Sequence, residues 1–265
     1  MMDKMIFGRY IPSDSFVHRM DPRSKLMFVF AFICIVFLAN NAVTYAVLGG
    51  FTLTAMLSVK VPLKFLLGGL KPVMWLVLFT FLLHIFFTKE GEVLVNIGFV
   101  KIYEEGLRQA IFISLRFTYL IIVTTLLTLT TSPIAITDGL ETLLDPLKKV
   151  KFPVHEMALM MSISLRFIPT LMEETDKIIK AQTARGAELA SGPIKERVKS
   201  IVPLLIPLFV SAFKRAEDLA TAMEARGYKG GEGRTKYRVL RWTGIDTAVL
   251  GSLVILAAVL IVLRG

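Results

Sequence analysis

The chain has 265 residues, 54% of them hydrophobic, and a formal net charge of +10. With a mean hydropathy of +0.65 it is too apolar for an ordinary soluble domain, and the composition calls for several membrane spans. No basic patch with interleaved aromatics supports nucleic-acid binding, and the single cysteine, Cys34, excludes a disulfide within the chain.

Residues 1–25 form a polar, basic arm carrying Arg9, Arg19, Arg23 and Lys25, with turn signals at Pro12 and Asp21-Pro22. The arm has no apolar segment of the kind a cleavable signal needs. Apolar runs follow at Leu26 to Ala39 and Val43 to Val59, separated by Asn40-Asn41. Both are short for a bilayer, which takes about 20 apolar residues. Lys60, Lys64 and Lys71 flank Pro62 and Pro72 in a basic connection. Val73 to Phe87 is the third run, Lys89 to Glu105 an acidic loop, and Leu107 to Thr130 a fourth, Thr-rich run. Lys and Arg concentrate in cytoplasmic loops, so the N-terminal arm and the Lys60–Lys71 connection are expected inside and the Glu90–Glu105 loop outside.

Ile136 to Val150 has the pattern of a short amphipathic helix closed by Lys148-Lys149. Met157 to Met172 and Ile201 to Phe213 are apolar but too short to span, and they hold Pro169, Pro203 and Pro207. Each passes into a charged continuation that ends at Ala-Arg-Gly. Lys229 to Trp242 is a Gly-rich basic linker, and Ile245 to Leu263 is an apolar run of spanning length. The expectation is an all-α polytopic membrane protein with about five transmembrane helices and a three-helix cytoplasmic insertion. Its parts are a cytoplasmic arm (1–25), helices 1–4 (26–135), the insertion and linker (136–242) and a last helix (243–265).

The two charged continuations repeat one another. Asp176 and Glu217 lie nine residues before an arginine, Ala181 and Ala222 four before, and Ala184-Arg185-Gly186 matches Ala225-Arg226-Gly227. Glycine at the first non-helical position is the usual helix stop, and a cation there suits the helix dipole. One copy is an ordinary cap. Two copies on similar arms of a membrane protein predict helical rods that each present an arginine to another protein. A helix from His155 to Arg185 would reach on the order of 45 Å. Ala212, Ala216 and Ala220 recur every fourth residue, a spacing that admits a second helix, so the two arms are expected to touch there.

Other candidates carry less. Gly230-Gly231-Glu232-Gly233-Arg234-Thr235 lacks the Gly-Lys-Ser/Thr pair of a phosphate loop. His18, His84 and His155 have no partners at metal-ligand spacing, and no nucleophile–base set or carboxylate pair stands out. Neither a cofactor nor an enzymatic activity is expected of this chain. Arg116 lies inside the fourth run, where an ionisable residue is either functional or snorkels to the outer interface.

The opening His18-Arg19-Met20-Asp21-Pro22-Arg23-Ser24-Lys25-Leu26, the stretch Ser164-Leu165-Arg166-Phe167-Ile168-Pro169 and the two Ala-Arg-Gly tripeptides, in this order, resemble the transmembrane T component of energy-coupling factor (ECF) transporters. The resemblance covers nearly the whole chain. It implies a bacterial cell-membrane scaffold, N-terminus cytoplasmic, whose coupling helices cross as an X. Their Arg motifs, here Ala184, Arg185, Gly186 and Ala225, Arg226, Gly227, would dock into two ABC-type ATPase subunits. A separate substrate-binding S component, for a vitamin or metal ion, would sit on the membrane face. The alternatives are a self-contained secondary transporter or channel, which expects charged or broken spans at the midplane, and a scaffold without transport.

Overall fold

The computed structural model describes residues 10–59, 62–97, 100–186, 193–230 and 238–264. The elements in chain order are α1 (Pro22–Val36), α2 (Ala42–Ser58), α3 (Leu63–Phe87), β1 (Val93–Ile97), β2 (Val100–Tyr103), α4 (Glu104–Thr130), α5 (Pro133–Leu144), a 3-10 helix (Asp145–Val150), α6 (Val154–Ala184), α7 (Ile194–Ala225) and α8 (Gly244–Leu263). They group into two compact units. One is a bundle of the described residues within 10–142 and 239–264; the other holds the described residues within 143–238.

In the bundle, α1, α2, α4 and α8 share an apolar core. Phe32 and Val36 of α1, Leu48 of α2 and Leu260 of α8 are fully buried, and Val123 of α4 nearly so. Short polar side chains set both ends of this core. Asp21 caps α1 by accepting from the backbone N–H of Arg23 at 2.8 Å, and Pro22 occupies the first helical turn, where its missing N–H costs nothing. The fully buried Asp246 of α8 accepts from the Asp21 N–H at 2.9 Å and the Ser24 hydroxyl at 2.5 Å. Its second oxygen accepts from the Thr243 N–H at 2.8 Å. Lys25 donates to the carbonyl of Thr130 at 3.0 Å, which ties α1 to the end of α4. At the other end, Asn40 and Asn41 donate to the carbonyls of Arg264 and Leu263. The 15 residues of α1 span only about 22 Å, so the expectation of a short first helix holds, and α2, with 17 residues, is also short.

Helices α3, α4 and α8 are long and apolar enough to cross a membrane. The basic connection expected before the third span is helical from Leu63 onward, and α3 runs through Pro72 for 25 residues. Neighbouring helices can re-satisfy the carbonyl that a proline frees, so proline is tolerated in such segments. α3 packs along α4. A Cβ at Gly69 would lie 2.7 Å from the Thr125 methyl, and one at Gly106 2.9 Å from the Thr88 carbonyl oxygen, so small residues at both ends set the approach. The other side of α3 is bare: Trp75, Phe79, Phe86 and Phe87 are all about half or more exposed. The acidic loop between α3 and α4 contains a two-stranded antiparallel hairpin in which Val93 faces Tyr103 and Ile97 faces Val100.

Arg116 is anchored. Its guanidinium donates to the Tyr45 hydroxyl at 2.8 Å and the Ala39 carbonyl at 3.3 Å, and it lies 5.1 Å from the Phe37 ring centroid. Tyr45 stacks on Phe112 at 4.6 Å. The residue therefore holds α4 to the α1–α2 turn.

Candidate functional site

The second unit contains the two arms. α6 has 31 residues and stays helical through Pro169; α7 has 32 and stays helical through Pro203 and Pro207. The amphipathic segment expected over residues 136–150 is α5 followed by the 3-10 helix, which ends at Lys151 in a left-handed conformation.

Both arms end alike. Arg185 sits at φ −84°, ψ 6° and Arg226 at φ −87°, ψ 7°, each just after the last helical residue. The glycine that follows takes φ 84° at Gly186 and φ 74° at Gly227. The N–H groups of Gly186 and Gly227 close on the carbonyls of Thr183 and Glu224 at 3.0 and 2.8 Å. On α7 the Tyr228 N–H also reaches the Met223 carbonyl at 3.0 Å, completing a Schellman cap. A Cβ on either glycine would meet nothing within 4 Å. These positions need glycine for the backbone angle alone.

All six Ala-Arg-Gly residues are exposed. Among the described residues neither Arg185 nor Arg226 makes an ion pair or a side-chain hydrogen bond. The cap is thus built by the backbone, and the guanidinium is left over at the tip of the rod. The structure does not bring the two tripeptides into one site; it presents two equivalent ones.

Between the tips, the arms meet. Ala212, Ala216 and Ala220 of α7 face Ile163, Phe167 and Leu171 of α6 across a groove of about 380 Å³, so the expected small-residue contact is present. The polar tie at this contact involves Glu174, Ser211 and Arg215, which the sequence reading had not singled out. Glu174 accepts from the Ser211 hydroxyl at 2.5 Å and from the Arg215 guanidinium at 3.1 Å. The Ser211 hydrogen bond, with the Arg215 charge beside it, holds the Glu174 carboxyl below its ordinary range. A signal was available: Glu174 and Arg215 occupy the same place in the two repeated arms, each eleven residues before its arginine. The other prominent feature of α7 is apolar and uncovered. Val202, Ile206, Phe209 and Phe213 are largely exposed at helical spacing.

Gly230 takes φ 90°, but the remainder of the Gly230–Thr235 stretch lies outside the described residues. His18 is held by Ser15 at 2.6 Å and the Ile11 carbonyl at 3.0 Å.

Comparison with known proteins bears on this geometry. Residues 13–237 match the CbiQ family, described as cobalt transport protein. A protein of Bacillus subtilis (strain 168) called energy-coupling factor transporter transmembrane protein EcfT is 70% identical over 265 residues, all of both chains. The protein of that name from Listeria innocua is 59% identical over 265 residues, again all of both. The one from Streptococcus thermophilus is 53% identical over 264 residues, all of both. A family match over most of the length and relatives this similar from end to end lead to one conclusion: the chain belongs to the CbiQ family and, within it, stands with the energy-coupling factor transporter transmembrane proteins.

Proposed function

We propose that this chain is the membrane scaffold of an ATP-driven importer of the ECF type, with Arg185 and Arg226 as the docking points for two ABC-type ATPase subunits. The observation that carries this reading is the pair of matching helix caps, each with an arginine at its tip that has no partner among the described residues. Two like tips suit a pair of like soluble subunits. A guanidinium offers a fork of donors that grips carboxylates or carbonyls at fixed geometry, which a lysine does not.

In this reading the chain hydrolyses nothing itself. It carries force from the ATPases to a separate substrate-binding S component in the membrane, which lies against apolar surface such as the Val202–Phe213 face of α7. The insertion 136–242 is the coupling region, flanked by the bundle helices of 26–135 and 243–265. The arm 1–25 and the tips lie in the cytoplasm, and the chain resides in the bacterial cell membrane as a multi-pass protein. A self-contained transporter would rest on an ionised group available to cargo within a span. Arg116 is instead engaged by Tyr45, Ala39 and Phe37.

Identification of the proteins that co-purify with the full chain in mild detergent tests this. Two ABC ATPases and a small membrane protein are expected, with the ATPases lost from the Arg185→Ala/Arg226→Ala variant. A chain that catalyses uptake alone in vesicles would overturn the proposal.

A further inference from the structure

The bundle contains a cleft of about 290 Å³ between α1, α2, α4 and α8, near the small end of the range for ligand pockets. Its walls are apolar: Phe28, Val29, Phe51, Val123, Leu126 and Val249. Its lining residues are spread along the four helices. Along α4 it runs from Val123 to Thr130, about 10 Å at the helical rise.

One end differs. Lys25 lines it and is only 5% exposed. Its ammonium donates to the carbonyls of Thr130 at 3.0 Å and His18 at 3.4 Å, which leaves one of its three N–H groups uncommitted among the described residues. It forms no ion pair there. Asp21 is engaged by Arg23, and Asp246 by Ser24, Thr243 and the Asp21 N–H, so both offset the lysine charge only from longer range. The hydroxyls of Thr54, Ser58, Thr130 and Ser252 around the cleft spend their protons on carbonyls of their own helices. The free donor in this apolar cleft is therefore a buried cation. A buried charge is costly unless paired, so the cleft selects an anionic head at Lys25 with an apolar tail running toward Phe51 and Val123.

We propose that this cleft binds the acyl chain of an anionic amphiphile, with its carboxylate or phosphate at Lys25. Lys25 stands in the first turn of α1, beside Phe16, Val17 and Met20 of the N-terminal arm. The ligand thus comes from the leaflet on the side of that arm, either as a free fatty acid or as one chain of a phospholipid. This inference is independent of the ATPase-docking proposal.

The test uses the full chain in phosphatidylcholine vesicles doped with one of three diazirine probes: palmitic acid, phosphatidylglycerol or neutral hexadecanol. After illumination, adducts are mapped by mass spectrometry. The acid or the phosphatidylglycerol probe should label residues 51–58 or 123–130, and whichever labels more identifies the source. Ala55→Phe, which fills the cleft without touching the Lys25 contacts, should remove that labelling. Lys25→Met should cut labelling by the anionic probes about ten-fold, the loss that goes with one hydrogen bond to a charged group, and leave hexadecanol unaffected. Should Lys25→Met fail to fold, Ala55→Phe alone decides. Absence of adducts at these segments, or equal labelling in Ala55→Phe and the parent, overturns the proposal.

Discussion

Replacing Arg185 and Arg226 by alanine separates the proposed docking from folding, because the caps are built by backbone atoms and the docking is proposed for the guanidinium groups. Each helix end is closed by backbone bonds through Gly186 or Gly227. Neither guanidinium has a partner among the described residues. Within the chain, each substitution therefore removes only a charge at a helix C-terminus, worth about 0.3–1 kcal/mol. In a docked complex, the loss of one buried charge-assisted contact costs about 2–5 kcal/mol, much of it from the partner group left unpaired. At about 1.4 kcal/mol per ten-fold in affinity, that is roughly thirty-fold to several thousand-fold per site. The double variant should be far worse than either single one, since two arms holding linked partners act with avidity. Lysine should restore only part. Gly186→Ala gives the reverse case: it keeps the guanidinium and strains the cap by about 1–2 kcal/mol. The assay is ATPase retention on the affinity-tagged chain, with uptake in cells and thermal unfolding as the fold control. The reasoning is refuted if Arg185→Ala/Arg226→Ala protein retains its ATPases and supports uptake at the parent rate.

Cysteines placed at positions 90–105 should react with an impermeant maleimide from outside intact cells, and one at Gly186 only from the cytoplasmic side; the opposite pattern would invert the topology. Arg116→Met should destabilise the bundle by about 2 kcal/mol, the scale of a hydrogen bond to a charged group plus a ring contact, as a lower melting temperature with ATPase docking unchanged; an unaltered melt would remove its structural role. Glu174 has a lowered carboxyl pKa in the fold, so its tie to Ser211 and Arg215 contributes fully above the ordinary value of 4.5 and fades as pH falls through the lower folded value. Spin labels on α6 and α7 should report arms that separate on acidification in that window, and Glu174→Gln should abolish the pH dependence; a distance independent of pH in the parent would contradict the assignment.

The helical elements and both caps were legible in the sequence because their signals are local. Gly186 and Gly227 state where α6 and α7 stop; Asp21-Pro22, read as a turn inside a polar arm ending at residue 25, is instead the cap and first turn of α1, which begins four residues before the expected Leu26. The alanine stripe at 212, 216 and 220 marked the face of α7 that meets α6. The contacts of the charged and polar residues were not legible, since each joins distant segments. Arg116 meets Tyr45 across 71 positions, and Asp246 meets Ser24 across 222. Hydropathy marks such residues as out of place without naming their partners. The Lys60–Lys71 connection misled for a different reason: lysine and proline suggested a loop, yet lysine is a good helix former and Pro72 is accommodated inside α3.

Glu174 and Arg215 hold equivalent places in the two arms. The arms repeat at an offset of 41 residues, which carries Asp176 onto Glu217, Ala181 onto Ala222 and Arg185 onto Arg226. The same offset carries Glu174 onto Arg215, and these two touch at 3.1 Å. Each tip lies eleven residues, about 16 Å of helix, beyond this ion pair. Opposite charges at these equivalent positions attract where like charges would repel. The tie is partly exposed, with the Arg215 side chain at 38% and the Glu174 side chain at 24%, so the ion pair itself is worth at most about 1 kcal/mol. In the proposed docking, the contact at one tip, at about 2–5 kcal/mol, is the larger of the two.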